Sequence, residues 1–99
     1  MALRFDEKTV SEVGFELYQN VPNPFSRRTS IGFNLPEAGP ATLQVYDQTG
    51  RLIFSQTASY PKGYNSVLLD GNLTGKPGVL FYQLKTEKQT ATRKMIRQE

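Results

Sequence analysis

Signals for a chain reversal recur along this sequence at intervals of roughly 8–12 residues, which leaves no room between them for a long helix. The clearest lie at 36–40, 47–50 and 70–78, where proline, glycine and aspartate concentrate. The segments between them alternate apolar with polar residues, which is the period of a strand that buries one face. The sequence therefore predicts a succession of short strands and no helix.

Seven such strand segments can be placed after residue 14. They span 15–19, 29–35, 41–47, 51–59, 63–70, 79–86 and 90–97. Seven short strands in a chain of 99 residues are typical of an immunoglobulin-like or fibronectin-like fold. We predict an all-β, seven-stranded antiparallel β-sandwich over residues 15–99. Residues 1–14 are interpreted as a linker, or as a start segment joined to a domain of a larger protein.

Two segments carry sharper expectations. The segment 21–25 contains Pro22 and Pro24, which remove two backbone donors and exclude a central strand. We predict a kinked edge piece there, with Phe25 anchored in the core. The segment 79–86 is apolar on both faces in its first half, so it is predicted to be a central strand.

A hairpin turn is predicted at 47–50, where an aspartate can accept hydrogen bonds from the turn and a glycine can adopt positive φ. The return strand follows at 51–59. Simple alternation there places Leu52 and Phe54 on one face and Ile53 on the other.

The chain contains neither histidine nor cysteine. This composition excludes disulfides, Cys/His zinc sites, Ser-His-Asp triads and thiol nucleophiles. Asp47 and Asp70 stand where turn aspartates stand, and the segment 70–72 lacks the alternating ligands of a calcium loop. We therefore predict a protein that is not an enzyme and holds no cofactor or metal.

Charge and hydropathy narrow the range of partners. The net charge of +3 is too small to indicate a nucleic-acid partner. No apolar run approaches the ~20 residues that a spanning helix needs, so no membrane insertion is expected.

Basic residues clearly outnumber acidic residues only near the C-terminal end of the sequence. Glu87 is the one acidic residue there before Glu99, and it is surrounded by Lys85, Lys88, Arg93, Lys94 and Arg97. Lysine and arginine on an edge strand discourage sheet-to-sheet aggregation. The same side chains could mark an edge at which a receptor docks, through added β-pairing. The spacing alone leaves both interpretations open.

Two further functions are compatible with a small sandwich. One is a structural spacer between other domains. The other is a carbohydrate-binding module that uses exposed aromatic rings, for which the candidates are Tyr18, Tyr46, Tyr60, Tyr64 and Tyr82.

Five segments, in order, resemble the motifs of a known family. They are LYQNVPNPF at 17–25, TSIGFNLP at 29–36, LQVYDQTGR at 43–51, GVLFYQL at 78–84 and TRKMI at 92–96. Together they resemble the type A C-terminal sorting domain of the type IX secretion system of Bacteroidetes, the Por secretion system family. The immunoglobulin-like segment of flagellar hook-capping proteins shares part of this pattern. The sequence departs from the family at Leu80, where an aromatic residue is common, and at 69–71, where a Trp-Asp-Gly is common.

The resemblance implies a sorting signal that follows an N-terminal parent domain. The parent would be exported through the periplasm to the outer-membrane surface or the medium. The implied partners are the outer-membrane translocon and a sortase-like protease, which would cleave the linker before Phe15. By the same resemblance, recognition would involve the last two strands, through Gly78, Val79, Tyr82, Lys94, Met95, Ile96 and Arg97.

Overall fold

The computed structural model describes residues 14–73 and 76–99. Its seven strands are β1 (Glu16–Leu17), β2 (Arg28–Leu35), β3 (Gly39–Asp47), β4 (Leu52–Tyr60), β5 (Gly63–Asp70), β6 (Gly78–Lys85) and β7 (Thr90–Arg97). A single turn of 3₁₀ helix, Gly71–Leu73, follows β5. Apart from Gly14, the predicted linker 1–14 lies outside the described residues, so the domain boundary stays a prediction.

The strands form two antiparallel sheets, which confirms the predicted all-β sandwich. The first sheet has the order β1-β2-β5, and the second has the order β4-β3-β6-β7. Because β6 pairs with β3 on one side and β7 on the other, it is an interior strand, as its sequence predicts. The last strand, β7, is an edge of the four-stranded sheet.

The core lies between the two sheets and follows the alternation of the sequence. In β2 every second side chain from Thr29 to Leu35 is buried, and in β3 Ala41, Leu43 and Val45 are buried. Phe25 is 1% exposed, which confirms its predicted role as an anchor. Burial of side chains of this size is the main favourable term for a domain of this length.

The turn at 47–50 forms as predicted. The Oδ1 atom of Asp47 accepts hydrogen bonds from the main-chain N–H groups of Thr49 (2.9 Å) and Arg51 (3.0 Å). Gly50 adopts a φ of +90°, which side-chain-bearing residues rarely adopt.

The predicted facing of β4 was wrong at its first residues. The ladder between β3 and β4 pairs Val45 with Phe54 but Tyr46 with Leu52, so Ile53 is the extra residue of a β-bulge. Phe54 consequently faces the core with Val45, whereas Leu52 lies on the outer face beside Tyr46. Simple alternation had put Leu52 and Phe54 on the same face, because a bulge leaves no clear mark in the sequence.

Candidate docking surface

The β6–β7 hairpin has a continuous register from Gly78 opposite Arg97 to Lys85 opposite Thr90. Its turn is closed by Thr86. The Thr86 hydroxyl oxygen accepts hydrogen bonds from the N–H groups of Lys88 (3.2 Å) and Gln89 (3.1 Å), and the Thr86 N–H donates to the Gln89 carbonyl (2.8 Å). This turn fixes which side chains of the two strands share a face.

Two of the predicted recognition residues, Tyr82 and Met95, face the core and are fully buried. The Tyr82 hydroxyl accepts a hydrogen bond from the Asn20 N–H (2.9 Å) and donates one to the Tyr18 carbonyl (2.8 Å). Burial raises the pKa of Tyr82, against the opposing effects of the Asn20 hydrogen bond and the Arg93 charge. In this structure these two side chains support the surface and do not form part of it.

Gly78 and Arg97 close the far end of the hairpin. Gly78 adopts a φ of +142° where β6 begins, so a side chain there would strain the backbone. Arg97 is half-buried, and its Nε atom donates to the Gly71 carbonyl (3.0 Å). Its Nη1 atom donates to the Gln98 carbonyl (3.2 Å). These bonds hold the guanidinium against the domain.

The other predicted residues, Val79, Lys94 and Ile96, lie on the outer face of the four-stranded sheet. Ile96 stands opposite Val79, and Lys94 stands opposite Phe81. On its other side Phe81 pairs with Tyr46, which in turn pairs with Leu52. We refer to these side chains as the outer patch: Tyr46, Leu52, Val79, Phe81, Lys94 and Ile96.

Two members of the outer patch, Leu52 and Phe81, were not among the residues predicted from the sequence. Tyr46 was predicted there only as a carbohydrate-binding candidate. The outward position of Phe81 could have been predicted. Side chains alternate along a strand, so Phe81 must face outward once its neighbour Tyr82 is known to be buried. The outward position of Leu52 could not be predicted, because the β-bulge at Ile53 turns it outward. The outer face is apolar only at the end of the sheet where the outer patch lies. The cross-strand row next to Tyr46, Phe81 and Lys94 is polar and consists of Gln44, Gln83 and Thr92.

The outer edge of β7 is partly covered by residues 17–25, which we call the strap. The Asn23 side-chain oxygen accepts a hydrogen bond from the Ile96 N–H (2.9 Å), and the Phe25 N–H donates to the Ile96 carbonyl (3.0 Å). The Gln98 N–H donates to the Phe25 carbonyl (2.7 Å), and the Gln19 side chain donates to the Lys94 carbonyl (2.8 Å). The strap therefore occupies the C-terminal half of this edge.

The N-terminal half of the same edge is open. In an antiparallel ladder alternate residues direct their backbone groups away from the partner strand. The backbone groups of Ile96 point away from β6, because they are bonded to the strap. By alternation, the backbone groups of Lys94, Thr92 and Thr90 also point away from β6. No residue of the described chain pairs with the backbone groups of Thr90 or Thr92. Added β-pairing of a receptor strand is therefore restricted to this half.

The hairpin keeps most of its positive charge unpaired. Within residues 14–73 and 76–99, the ion pairs are Lys88 with Glu37 and Arg51 with Asp47, each at 3.5 Å. Arg93 donates from Nε to the Leu17 carbonyl (2.6 Å). Lys85 and Lys94 are exposed and have no carboxylate partner in the described part of the chain.

The tyrosines do not converge on one surface. Tyr60 and Phe33 form a T-shaped pair, with ring centroids 5.1 Å apart. Tyr18 and Tyr64 form a tilted pair, 6.0 Å apart, on the outer face of the three-stranded sheet. Tyr46 lies on the opposite sheet. The aromatic residues proposed for carbohydrate binding are therefore dispersed.

Among the described residues there is no group of three or more acidic side chains that could hold a metal ion. Asp70 has a turn role, as predicted, since its Oδ1 atom accepts the Asn72 N–H (2.9 Å). The described segments also contain no helix long and apolar enough to cross a membrane.

Comparison with known proteins gives one family. A family model described as the secretion system C-terminal sorting domain matches residues 20–98. None of the curated proteins matches the chain. Among solved structures, the chain is similar to a β-glucosidase, EmGH1, from Erythrobacter marinus. The identity is 13%, the match covers 85% of this chain and 15% of that chain, and the TM-score is 0.43. A likeness this weak carries no argument.

Proposed function

Because the chain belongs to the family of type IX secretion C-terminal sorting domains, we propose that the outer patch is the surface by which the outer-membrane translocon recognises it. The domain acts by binding and carries out no chemistry. It directs an N-terminal parent domain across the outer membrane, to the cell surface or the medium.

The observation that carries the proposal is the exposure of large apolar side chains on the last hairpin and its neighbours. Leu52 is 47% exposed, Ile96 43% and Phe81 37%. Grouped apolar side chains at a surface are typical of interaction sites. Lys94 stands beside them without a carboxylate partner in the described chain, so it can orient an acidic or polar receptor group.

The remaining steps follow the family. We infer that the parent passes through the periplasm before it meets the translocon. A sortase-like protease then cleaves the linker before Phe15, which lies at the start of the folded domain. Gly78, Tyr82, Met95 and Arg97 contribute by holding the last two strands in place for recognition.

A secretion assay tests this proposal. The whole chain is fused to the C-terminus of a fluorescent protein that carries a periplasmic signal, and the fusion is expressed in a Bacteroidetes host. Lys94→Glu and Ile96→Ser are compared with Lys85→Glu, which makes the same charge change on the same face at the polar end of the hairpin. We expect each patch variant to lower surface fluorescence about tenfold, the effect of losing one good interface contact. Lys85→Glu should be exported normally.

The outcomes separate the alternatives. Normal export of Lys94→Glu and Ile96→Ser would refute the outer patch as the recognition surface. Periplasmic retention of the unaltered fusion would favour the structural spacer. The folded state of each variant is checked by its thermal unfolding, so that loss of export cannot be attributed to loss of the fold.

A further inference from the structure

The two long edges of the sandwich other than β7 are β4 and β5. β5 is the edge strand of the three-stranded sheet, and within the described part of the chain β2 is its only partner. Between Gly63 and Leu69 it contains no charged residue and no proline, which are the features that natural edge strands use to prevent pairing. By contrast, β7 has basic side chains and the strap. β4 also lacks charge and proline, but the β-bulge at Ile53 interrupts its edge. An unprotected edge of this length is a pairing surface.

The backbone groups that β5 presents outward can be identified. The Ser30 N–H and carbonyl are both bonded to Val21, so Ser30 faces away from β5 (2.8 and 2.9 Å). Ser30 lies opposite Leu68, which must then direct its own backbone groups outward. By alternation Tyr64 and Ser66 do the same. No residue in the described chain pairs with the backbone groups of these three.

Their side chains share the outer face of the sheet and are unusually exposed. Tyr64 is 66% and Leu68 62% exposed, the largest such values after Val21 among the apolar side chains described. Tyr64 lies across Gly32, where a Cβ atom would come within 2.4 Å of its hydroxyl oxygen. This contact fixes one side of the Tyr64 ring on the sheet and leaves the rest open.

We propose that β5 pairs with β5 of a second copy of this chain, antiparallel, about a twofold axis at Ser66. In this register Ser66 faces its own counterpart, and Tyr64 faces Leu68 of the second copy. The two three-stranded sheets then form one continuous sheet. An interface of this kind must be complementary to itself.

Charged residues at or beside the two ends of β5 add to that self-complementarity. The same register brings Asp70, the last residue of β5, towards Lys62 of the second copy, which lies in the bend just before β5, once at each end of the paired strands. Neither side chain has an ion-pair partner among the described residues, and both are exposed. Opposite charges directly across two strands stabilise pairing, whereas like charges oppose it. The attraction between Lys62 and Asp70 of the two copies therefore favours the register centred on Ser66.

The four-stranded sheet is not involved in this contact. The outer patch stays accessible in both copies, so the inference does not depend on the proposed sorting function. A single pair of edge strands buries little surface, and such interfaces are at the weak end of specific complexes. The association is therefore measured at high protein concentration and by crosslinking.

The absence of cysteine allows a direct test. In the whole chain, Ser66→Cys introduces one thiol on the twofold axis, where the distance between paired Cα atoms of about 5.5 Å suits a disulfide. Thr57→Cys is the matched control, because Thr57 is also exposed, on the outer face of the other edge strand, β4. We expect Ser66→Cys to oxidise to a covalent dimer at least about tenfold faster than Thr57→Cys.

A charge exchange provides an independent readout. Sedimentation equilibrium of the unaltered chain should give a dimer at high concentration, and Lys62→Asp or Asp70→Lys should weaken it about tenfold. The double variant Lys62→Asp/Asp70→Lys should restore the affinity. Three outcomes would each overturn the proposal. They are equal oxidation rates of the two cysteine variants, an unaltered chain that stays monomeric at about 1 mM, and a double variant that associates no more tightly than the single variants.

Discussion

Replacement of Tyr82 by phenylalanine tests the contact that joins the strap to the last two strands. The phenol oxygen of Tyr82 is bonded to two main-chain groups, the Asn20 N–H and the Tyr18 carbonyl, more than 60 residues away in sequence. Tyr82→Phe keeps the ring in the core and removes only this oxygen. Both main-chain groups then lose this hydrogen-bond partner.

The cost of this change can be estimated from the burial of each group. The Asn20 N–H lies in a buried hydrogen bond, and an unsatisfied buried donor costs about 1–3 kcal/mol. The Tyr18 carbonyl is only partly buried, so water can replace much of its lost bond. Together we expect a loss of about 2–3 kcal/mol in the free energy of unfolding. For a domain of this size that corresponds to a fall in Tm of roughly 10–20 °C.

Urea unfolding followed by far-ultraviolet circular dichroism measures this loss. Tyr46→Phe is the matched control, because the Tyr46 hydroxyl donates only to the half-buried Gln44 side chain (2.8 Å) and its removal should change the free energy by less than about 0.5 kcal/mol. Amide exchange at Asn20 should also accelerate in Tyr82→Phe. If Tyr82→Phe unfolds within about 0.5 kcal/mol of the unaltered protein, the strap is not held by this hydroxyl.

Three further substitutions probe other parts of the fold. Phe25→Ala should lower the free energy of unfolding by about 3–5 kcal/mol, measured by the same urea titration, because it empties a fully buried site. Gly71→Ala should lower it by about 1–3 kcal/mol, since the added methyl group would lie 2.5 Å from the Ser26 carbonyl oxygen; an unchanged midpoint would contradict the packing. The Thr49 hydroxyl, followed by the Arg51 N–H, lowers the pKa of Asp47 below 3.8, so its stabilising effect is present above pH 3.8 and is lost as the pH falls through the lower folded value. Asp47→Asn should flatten that part of the pH–stability curve, and a curve identical to that of the unaltered protein would refute this assignment.

Much of the architecture could be predicted from local pattern. In β2 and β3 one face is apolar and the other polar, so burying the apolar face fixes both the strand and its orientation. The burial of Phe25 could also be predicted. The two prolines before it exclude a regular strand, and a large aromatic side chain is more stable buried than exposed. The turn at 47–50 could be predicted because its residue types leave few backbone alternatives.

The surface was harder to predict, for two physical reasons. In the first half of β6 Val79 and Phe81 are as apolar as Leu80, so only Gln83 and Lys85 further along distinguish the outer face. The inward position of Tyr82 is also hard to predict, because its hydroxyl is satisfied by main-chain groups of the distant strap. The facing of Leu52 depends on a β-bulge, which is a property of strand pairing and not of composition.

The arrangement of the strap bears on what a sorting signal in this fold can be. Residues 17–25 and 92–96 are the first and last motifs of the domain in sequence, yet they bond to each other along one strand edge. Ile96 shows the consequence, since its backbone is held by Asn23 and Phe25 while its side chain stands on the outer patch. A peptide of the last ten residues would lack that support, because an isolated pair of strands is at best marginally stable in water. The proposed recognition at the outer patch would therefore require the folded domain. Substitutions that loosen the strap but leave the domain folded should then weaken export, although they leave the outer patch itself unaltered.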